Sequence, residues 1–312
     1  MVVTREELEV ELASLRLAVT DPLAGIHGPD SLGWRFGREA QNFLGAGRAA
    51  LLQLAHPPVA HAIETHSRVL SDVRDRFQRT FDNVFGMTFG DLDRALNAAR
   101  RVHNVHTRIR GVHRESLGRY PAGSTYAANE ADSLAWVYIT LVDSVIVVRD
   151  FVGRPLPAAL AERYFRESLR FAKLFGIRRA ELPVNARDLA GAVDRAVEDG
   201  TIAVGDAAKT IAGALLAAPR RELEPAAWAY RALTGALLPP SIAADFGLPT
   251  GRAANIAARL IARAIDRGLR ALPKQLRYVP GYLGAEARCG RRSRFERRID
   301  RAAERALFKL AG

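Results

Sequence analysis

Hydrophobic residues recur along the chain every three to four positions, which is the spacing of one face of an α-helix. Stretches rich in Ala, Leu and Arg dominate, and strand-like alternation bounded by turn residues is hard to find. Neither an internal repeat nor a low-complexity linker interrupts this pattern, and the one weak boundary lies near 240–250. We therefore expect an all-α fold, with residues 1–312 forming a single multi-helix domain.

The pattern also predicts where the helices lie. They are expected over about 4–18, 37–55, a segment beginning at Pro57–Pro58, 73–85, 88–110, 132–152, 157–175, 185–198, 202–217, 222–236, 251–270 and 292–311. Thr88 is a suitable cap for the helix over 88–110, and Gly111 can close it in a left-handed conformation. The helix over 132–152 is apolar on most sides, so we expect it at the centre of the core.

Charge is distributed unevenly between the two ends of the sequence. The chain carries 46 Lys and Arg against 34 Asp and Glu, a net charge of +12. Residues 251–312 alone hold 16 of the basic and 5 of the acidic residues, so the excess belongs to this basic helical C-terminal part. Its helices could contact anionic surfaces, although a solvated face would show the same pattern. Without a recognition motif or interleaved aromatic residues, we expect no nucleic acid partner.

Cysteine content and hydropathy indicate the compartment. The only cysteine is Cys289, which excludes intrachain disulfides and a cysteine-based zinc site. The first 18 residues contain four glutamates and no apolar core of a secretory signal. No stretch free of charged residues reaches the roughly 20 residues that a membrane span needs. We expect a soluble, cytoplasmic protein with no transmembrane segment.

All seven histidines precede residue 114, so we expect any chemistry in the first half of the chain. His103 and His106 lie three residues apart beside the apolar stripe of the helix over 88–110. Both could face one metal ion, one could be the axial ligand of a haem, or both could be ordinary hydrogen-bonded histidines. A di-metal bundle is disfavoured because Glu-x-x-His pairs are missing, and no nucleophile elbow or phosphate-binding loop occurs.

A second candidate group is Arg76, Arg79 and Thr80, which bunch on one short helical stretch. Arginine pairs with carboxylates such as haem propionates, and a threonine hydroxyl can hydrogen-bond to a bound ligand. The alternative interpretation is a solvated helix face. Trp136, in the apolar helix, is a candidate cofactor contact or an ordinary core residue.

Short motifs follow one another in a set order over about residues 20–190. They are Gly45-x-x-Arg48-x-x-Leu51, Ala55-His56-Pro57-Pro58-Val59-Ala60, His66-Ser67, Arg76-x-x-Arg79-Thr80, Phe85-Gly86, His106-x-x-Ile109-x-Gly111, Tyr126-x-Ala128, Trp136-Val137 and Leu182-Pro183. In this order they resemble the bacterial and fungal haem oxygenase family that includes the rubber oxygenase (latex-clearing protein) and the ER-bound oxygenase of mycophenolic acid biosynthesis.

The resemblance implies an all-α fold with a globin-like core around a b-type haem. By position His106 matches the proximal iron ligand, with His103 as the fallback, and Arg76 and Thr80 match a pair near the haem. Arg79 stands where the rubber oxygenase has a lysine, and a guanidinium stays protonated and cannot ligate iron. Tyr138 stands where relatives often have histidine, so the resemblance implies a haem site without implying a particular substrate.

The function expected from the resemblance is a haem b-dependent oxygenase that uses O₂ on a hydrophobic, isoprenoid-like small molecule. In this hypothesis His106 ligates the iron, while Arg76, Arg79 and Thr80 form the catalytic surroundings. Arg76, Trp136 and the fallback ligand His103 contact the cofactor. The alternatives are a haem-binding protein without turnover and a helical interaction protein that binds through its basic end.

Overall fold

The computed structural model describes the backbone of residues 1–66, 69–293 and 296, and the side chains of the same residues except 69–78. Within these residues the helices are α1 (Arg5–Ala18), α2 (Leu32–Gly37), α3 (Ala46–Leu54), α4 (Pro57–His66), α5 (Val69–Phe89), α6 (Leu92–His106), α7 (Ala131–Phe151), α8 (Ala158–Lys173), α9 (Ala186–Ala190), α10 (Ala192–Glu198), α11 (Asp206–Leu216), α12 (Glu224–Leu237), α13 (Pro240–Asp245), α14 (Arg252–Ala271), α15 (Lys274–Arg277) and α16 (Pro280–Arg288). The fold is predominantly all-α, as the sequence predicts.

The strands found in this part of the chain form one small antiparallel ladder. β1 (Arg110–Val112) pairs with β2 (Thr125–Ala127), and Gly111 lies opposite Tyr126. An added Cβ on Gly111 would lie 2.4 Å from the Tyr126 hydroxyl oxygen, so only glycine leaves room for this ring. The ladder was not predicted from the sequence, because three-residue strands are too short to show an alternating pattern.

Helix α7 lies at the centre of the core, as its apolar sequence predicts. Its side chains belong to different hydrophobic clusters: Tyr138 to one that includes residues of α1, α6 and α8, Trp136 to one with α3 and α11, and Val148 to one with α12 and α14. By length and composition α7 could also cross a membrane, but 61% of its most apolar stretch is buried within the protein. Core helices meet the same criterion.

The prediction for the helix over 88–110 was wrong at both ends. Thr88 lies in the last turn of α5, where its carbonyl accepts a hydrogen bond from Trp34 Nε1 at 3.1 Å. Helix α6 starts at Leu92 because the Asp91 side chain accepts from the Arg94 N–H at 2.8 Å. It ends at His106, and the chain then extends into β1, so Gly111 does not cap a helix.

Other predicted boundaries also shift. A 3₁₀ turn (Ala40–Gly45) occupies the first part of the helix predicted over 37–55, and Gly191 divides the one predicted over 185–198. Helices α2, α13, α15 and α16 are short and were not predicted, while the predicted helices near 4–18 and 132–152 are confirmed within two residues. Most of the predicted helix over 292–311 lies outside the described residues.

Candidate functional site

Helices α5 and α6 form a hairpin joined by Gly90 and Asp91, and the two helices pack against each other. An added Cβ on Gly90 would lie 2.2 Å from the carbonyl oxygen of Gly86, so the tight connection requires glycine. The fold therefore places the two predicted groups, Arg76 with its neighbours on α5 and His106 on α6, on helices that pack against each other.

The three predicted residues on α5 differ in how far the structure describes them. Arg79 and Thr80 are exposed on the helix. The backbone of Arg76 lies three residues earlier, and its side chain lies outside the described residues. The three residues thus lie within five consecutive positions of α5.

His106 lies half-buried in the final turn of α6, next to the start of β1. Its carbonyl accepts from the N–H of Ile109 at 3.0 Å, and the carbonyl of Ile109 accepts from the N–H of Ala128 at 3.0 Å. At the end of α4, His66 Nε2 lies 2.9 Å from the carbonyl oxygen of Arg110 and donates a hydrogen bond to it. The His-x-x-Ile-x-Gly motif therefore places His106 at a junction of α4, α6 and the β ladder.

His103 has a different environment from His106. It is buried, and its Nε2 lies 3.1 Å from the carbonyl oxygen of Val3, which can only accept a hydrogen bond. The carbonyl of His103 accepts from Asn129 Nδ2 at 3.1 Å. His103 thus ties the N-terminal segment to the loop before α7. Its Nε2 is therefore committed to this contact.

Trp136 is buried in α7, and its Nε1 donates to the carbonyl oxygen of Leu52 at 2.8 Å. Its ring stacks against that of His56 with the ring centroids 6.3 Å apart. The described contacts of Trp136 therefore join α7 to α3 and to a histidine that the sequence did not single out as a site residue.

Three histidines and two tyrosines form an imidazole–phenol cluster that the sequence analysis missed. His61 Nδ1 and His113 Nδ1 lie 3.0 Å apart, and the Tyr120 hydroxyl lies 3.0 Å from His56 Nε2. The ring of His113 stacks on Tyr120 and meets Tyr126 edge-on, at centroid distances of 5.3 and 5.4 Å. The members lie up to 70 residues apart in the sequence, so their proximity could not be inferred from spacing.

Burial shifts the pKa values of three members of this cluster toward their neutral forms. The pKa of His56 is lowered from 6.5 to about 3, mainly by burial and further by the charge of Arg119. Burial and the neighbouring His61 also lower the pKa of His113, and burial raises that of Tyr120. A neutral His56 carries one N–H, so either its Nε2 or the Tyr120 hydroxyl donates the hydrogen bond between them, according to the tautomer. The cluster thus places imidazole and phenol donors and acceptors beside Trp136.

The Gly45-x-x-Arg48 motif holds α3 against α7. Arg48 is buried and donates to Asp143 Oδ2 at 2.6 Å, to Ser144 Oγ at 2.8 Å and to the carbonyl of Leu237 at 2.9 Å. An added Cβ on Gly45 would lie 2.5 Å from Val148 Cγ2. In the structure these motif residues serve packing between helices, with three charge-assisted hydrogen bonds satisfying the buried guanidinium.

The chain thus has an all-α fold in which arginines on α5 and a histidine on α6 lie on two packed helices. Residues 34–267 match the family described as ER-bound oxygenase mpaB/B'/Rubber oxygenase, catalytic domain. Because the match covers most of the sequence, the chain belongs to this family of oxygenase catalytic domains. Comparison with curated proteins and with solved structures gave no significant match.

Proposed function

We propose that this protein is a haem b-dependent oxygenase that uses O₂ to oxidise a hydrophobic small molecule of the isoprenoid type. The family's oxygenase domain supports an enzyme of this class. The observation that carries the proposal is the α5–α6 hairpin, which brings the turn with Arg76, Arg79 and Thr80 alongside the helix that ends in His106. A cytoplasmic location remains part of this proposal.

The side-chain chemistry of this region fits a haem better than a chelated metal ion. Among the described residues, no group of three or more His, Cys, Asp or Glu side chains is placed to hold a metal ion. Haem needs only one imidazole from the protein, because the porphyrin supplies the other equatorial ligands. His106 supplies such an imidazole, and the arginines of α5 supply partners for two propionates.

Each residue has a separate role in this proposal. When bound, the haem iron supplies O₂ binding and activation. His106 holds the iron, Arg76 pairs with a propionate, and the Thr80 hydroxyl donates a hydrogen bond to the bound ligand. Arg79 would contribute positive charge near the haem and, unlike a lysine, would not ligate the iron. Trp136 and the apolar surface of α7 exclude water from the hydrophobic substrate.

The direct test is an absorption spectrum of the protein purified after expression with added haem precursor, or after reconstitution with haem. We expect a Soret band that is lost or strongly shifted in His106→Ala. His103→Ala is the matched control, because it removes an imidazole from the same helix and should keep the band. An unchanged Soret band in His106→Ala would overturn the ligand assignment.

Turnover is tested with the same preparation. We expect O₂ consumption with at least one member of an alkene and terpene panel, and its loss in Arg76→Ala and Thr80→Ala with the Soret band retained. A normal haem spectrum without O₂ consumption across the panel would instead indicate a haem-binding protein that does not catalyse oxygenation.

A further inference from the structure

Helix α14 packs on the protein with its smallest side chains. Ala258 and Ala262 are fully buried against Leu233 and Leu237 of α12. The third buried position, Asp266, accepts a hydrogen bond from Arg154 at 3.1 Å and pairs with Arg270 at 3.0 Å. Alanines and one aspartate in two ion pairs therefore form the buried positions of this helix.

Two large apolar side chains of α14 point away from the protein: Ile256 is 52% exposed and Leu260 is 61% exposed. At about 100° per residue they lie next to each other on the side opposite Ala258 and Ala262, while Ile265, 39% exposed, lies at the edge of the buried face. Leu272 and Leu276, which follow in the next turn and in α15, are each 41% exposed. An ordinary surface helix buries its large apolar residues and exposes its polar ones. Here Ile256 and Leu260 are exposed while alanines are buried, which leaves a short apolar strip, formed by these two side chains, on the outer face of the helix.

Arginines border this strip. At about 100° per residue, Arg252, Arg259, Arg263 and Arg270 share one arc of the helix, adjacent to Ile256 and Leu260. Arg270 pairs with Asp266, and the guanidinium of Arg259 lies 4.6 Å from the centre of the Phe151 ring. Arg252, Arg263 and Arg267 are exposed and form no ion pair with any described residue. Their charge is available to an anionic partner.

We propose that the exposed strip of α14, with its arginine arc, binds the surface of an anionic lipid bilayer. Such a surface offers acyl chains for Ile256 and Leu260 and headgroup phosphates and carboxylates for the arginines, which is how interfacial amphipathic helices bind. A nucleic acid would match the arginines but leave the isoleucine and leucine side chains without apolar partners.

Charge disfavours two other occupants of the strip. A second copy of the chain would bring two arginine arcs together, and the segment 251–312 already carries 16 basic against 5 acidic residues. Residues 294–312 of the same chain contain six Lys and Arg against three Asp and Glu, so they would also add like charge to α14. An anionic bilayer is the partner that matches both the apolar and the cationic parts of the surface.

The test is flotation of the full chain with vesicles of phosphatidylcholine alone and of phosphatidylcholine mixed with phosphatidylserine. We expect binding to the mixed vesicles that weakens at high salt and is absent with phosphatidylcholine alone. Two variants test the apolar and the charged parts of the surface separately. Ile256→Gln/Leu260→Gln removes the apolar part, and Arg263→Gln/Arg267→Gln removes charge; each should reduce binding by about tenfold or more.

The matched control is Val10→Gln/Leu17→Gln on α1, because these side chains are equally apolar and exposed, at 67% and 89%. It should bind vesicles like the unchanged chain, and circular dichroism confirms folding of all variants. Binding that survives Ile256→Gln/Leu260→Gln would overturn the proposal. A dimer of the unchanged chain in light scattering that disappears in Ile256→Gln/Leu260→Gln would also overturn it, if the unchanged chain does not bind vesicles. Crosslinking of Leu260→Cys to residues 294–312, again with no vesicle binding, would overturn it as well. These readouts need no haem, so the proposal can fail independently of the proposed function.

Discussion

His56 illustrates how a single buried side chain links the fold to pH. The ring is almost completely buried, its Nε2 lies 3.0 Å from the Tyr120 hydroxyl, and burial lowers its pKa to about 3. In the unfolded chain the same ring takes up a proton near its ordinary pKa of 6.5. The folded state binds fewer protons between these two values, so folding is opposed as the pH falls.

This difference predicts the sign and size of a pH dependence. The contribution of His56 is fully present above pH 6.5 and is lost toward pH 3, at about 1.4 kcal/mol per pH unit. His56→Gln keeps an acceptor for Tyr120 but does not titrate. Urea denaturation between pH 7 and pH 5 should therefore show a shallower decline of the free energy of unfolding in the variant. Parallel declines would mean that His56 is not held neutral.

His103 and His106 show what the sequence could and could not establish at the residue scale. Their spacing correctly indicated that both lie at or near the inner side of one helix. It could not show that His103 Nε2 lies 3.1 Å from the carbonyl of Val3, because that contact joins residues 100 positions apart. For the same reason the imidazole–phenol cluster could not be recognised before the fold brought α4 beside the β ladder.

At the scale of elements, the contact between the 3₁₀ turn, α3 and α7 depends on one missing side chain. Gly45 lies against Val148, and a Cβ at position 45 would approach Val148 Cγ2 to 2.5 Å. Real Cβ atoms do not tolerate such a distance, so an alanine here forces α7 to shift or Val148 to change rotamer. Overpacking of this kind costs about 1–3 kcal/mol.

A double-mutant cycle tests this packing. Gly45→Ala should lower the free energy of unfolding by about 1–3 kcal/mol, and Val148→Ala should lower it by removing buried methyl groups. Combined, the two changes should cost clearly less than their sum, because Val148→Ala removes the obstructing atom. Additive losses in urea denaturation would show that the two side-chain positions do not constrain each other.

Helix existence was easier to predict than helix ends. The amphipathic pattern identified α1, α4, α6, α7 and α8, whereas the ends of α6 depend on the Asp91 cap and on the β ladder. Thr88 and Asp91 are both suitable caps in the sequence. Packing decides between them, because Trp34 binds the Thr88 carbonyl and Gly90 permits the tight connection.

For the whole molecule, the prediction of a single domain leads to an unfolding experiment. Since α7 contributes side chains to the clusters around Tyr138, Trp136 and Val148, disrupting one cluster should disturb the others. We expect one cooperative transition in differential scanning calorimetry, with agreement between calorimetric and van't Hoff enthalpies. Two resolved transitions would contradict a single domain over residues 1–312.

The sequence alone shows where the basic residues are concentrated, but it does not show whether their helices bind a partner. The sequence located the excess of Lys and Arg in residues 251–312 and left open whether these helices are simply solvated. Only the structure shows that α14 buries alanines and exposes Ile256 and Leu260. Side-chain orientation relative to the rest of the protein thus separates the surface proposed here from an ordinary charged helix.

The central claim is that His106 holds a haem iron, and chemical rescue tests it most directly. His106→Gly removes the imidazole and leaves space for a free one, so the reconstituted variant should lose or shift its Soret band. Titration with imidazole should then restore the original spectrum with saturation, while the same titration of His103→Gly changes little. A Soret band in His106→Gly that matches the unchanged protein and does not respond to imidazole would contradict the account.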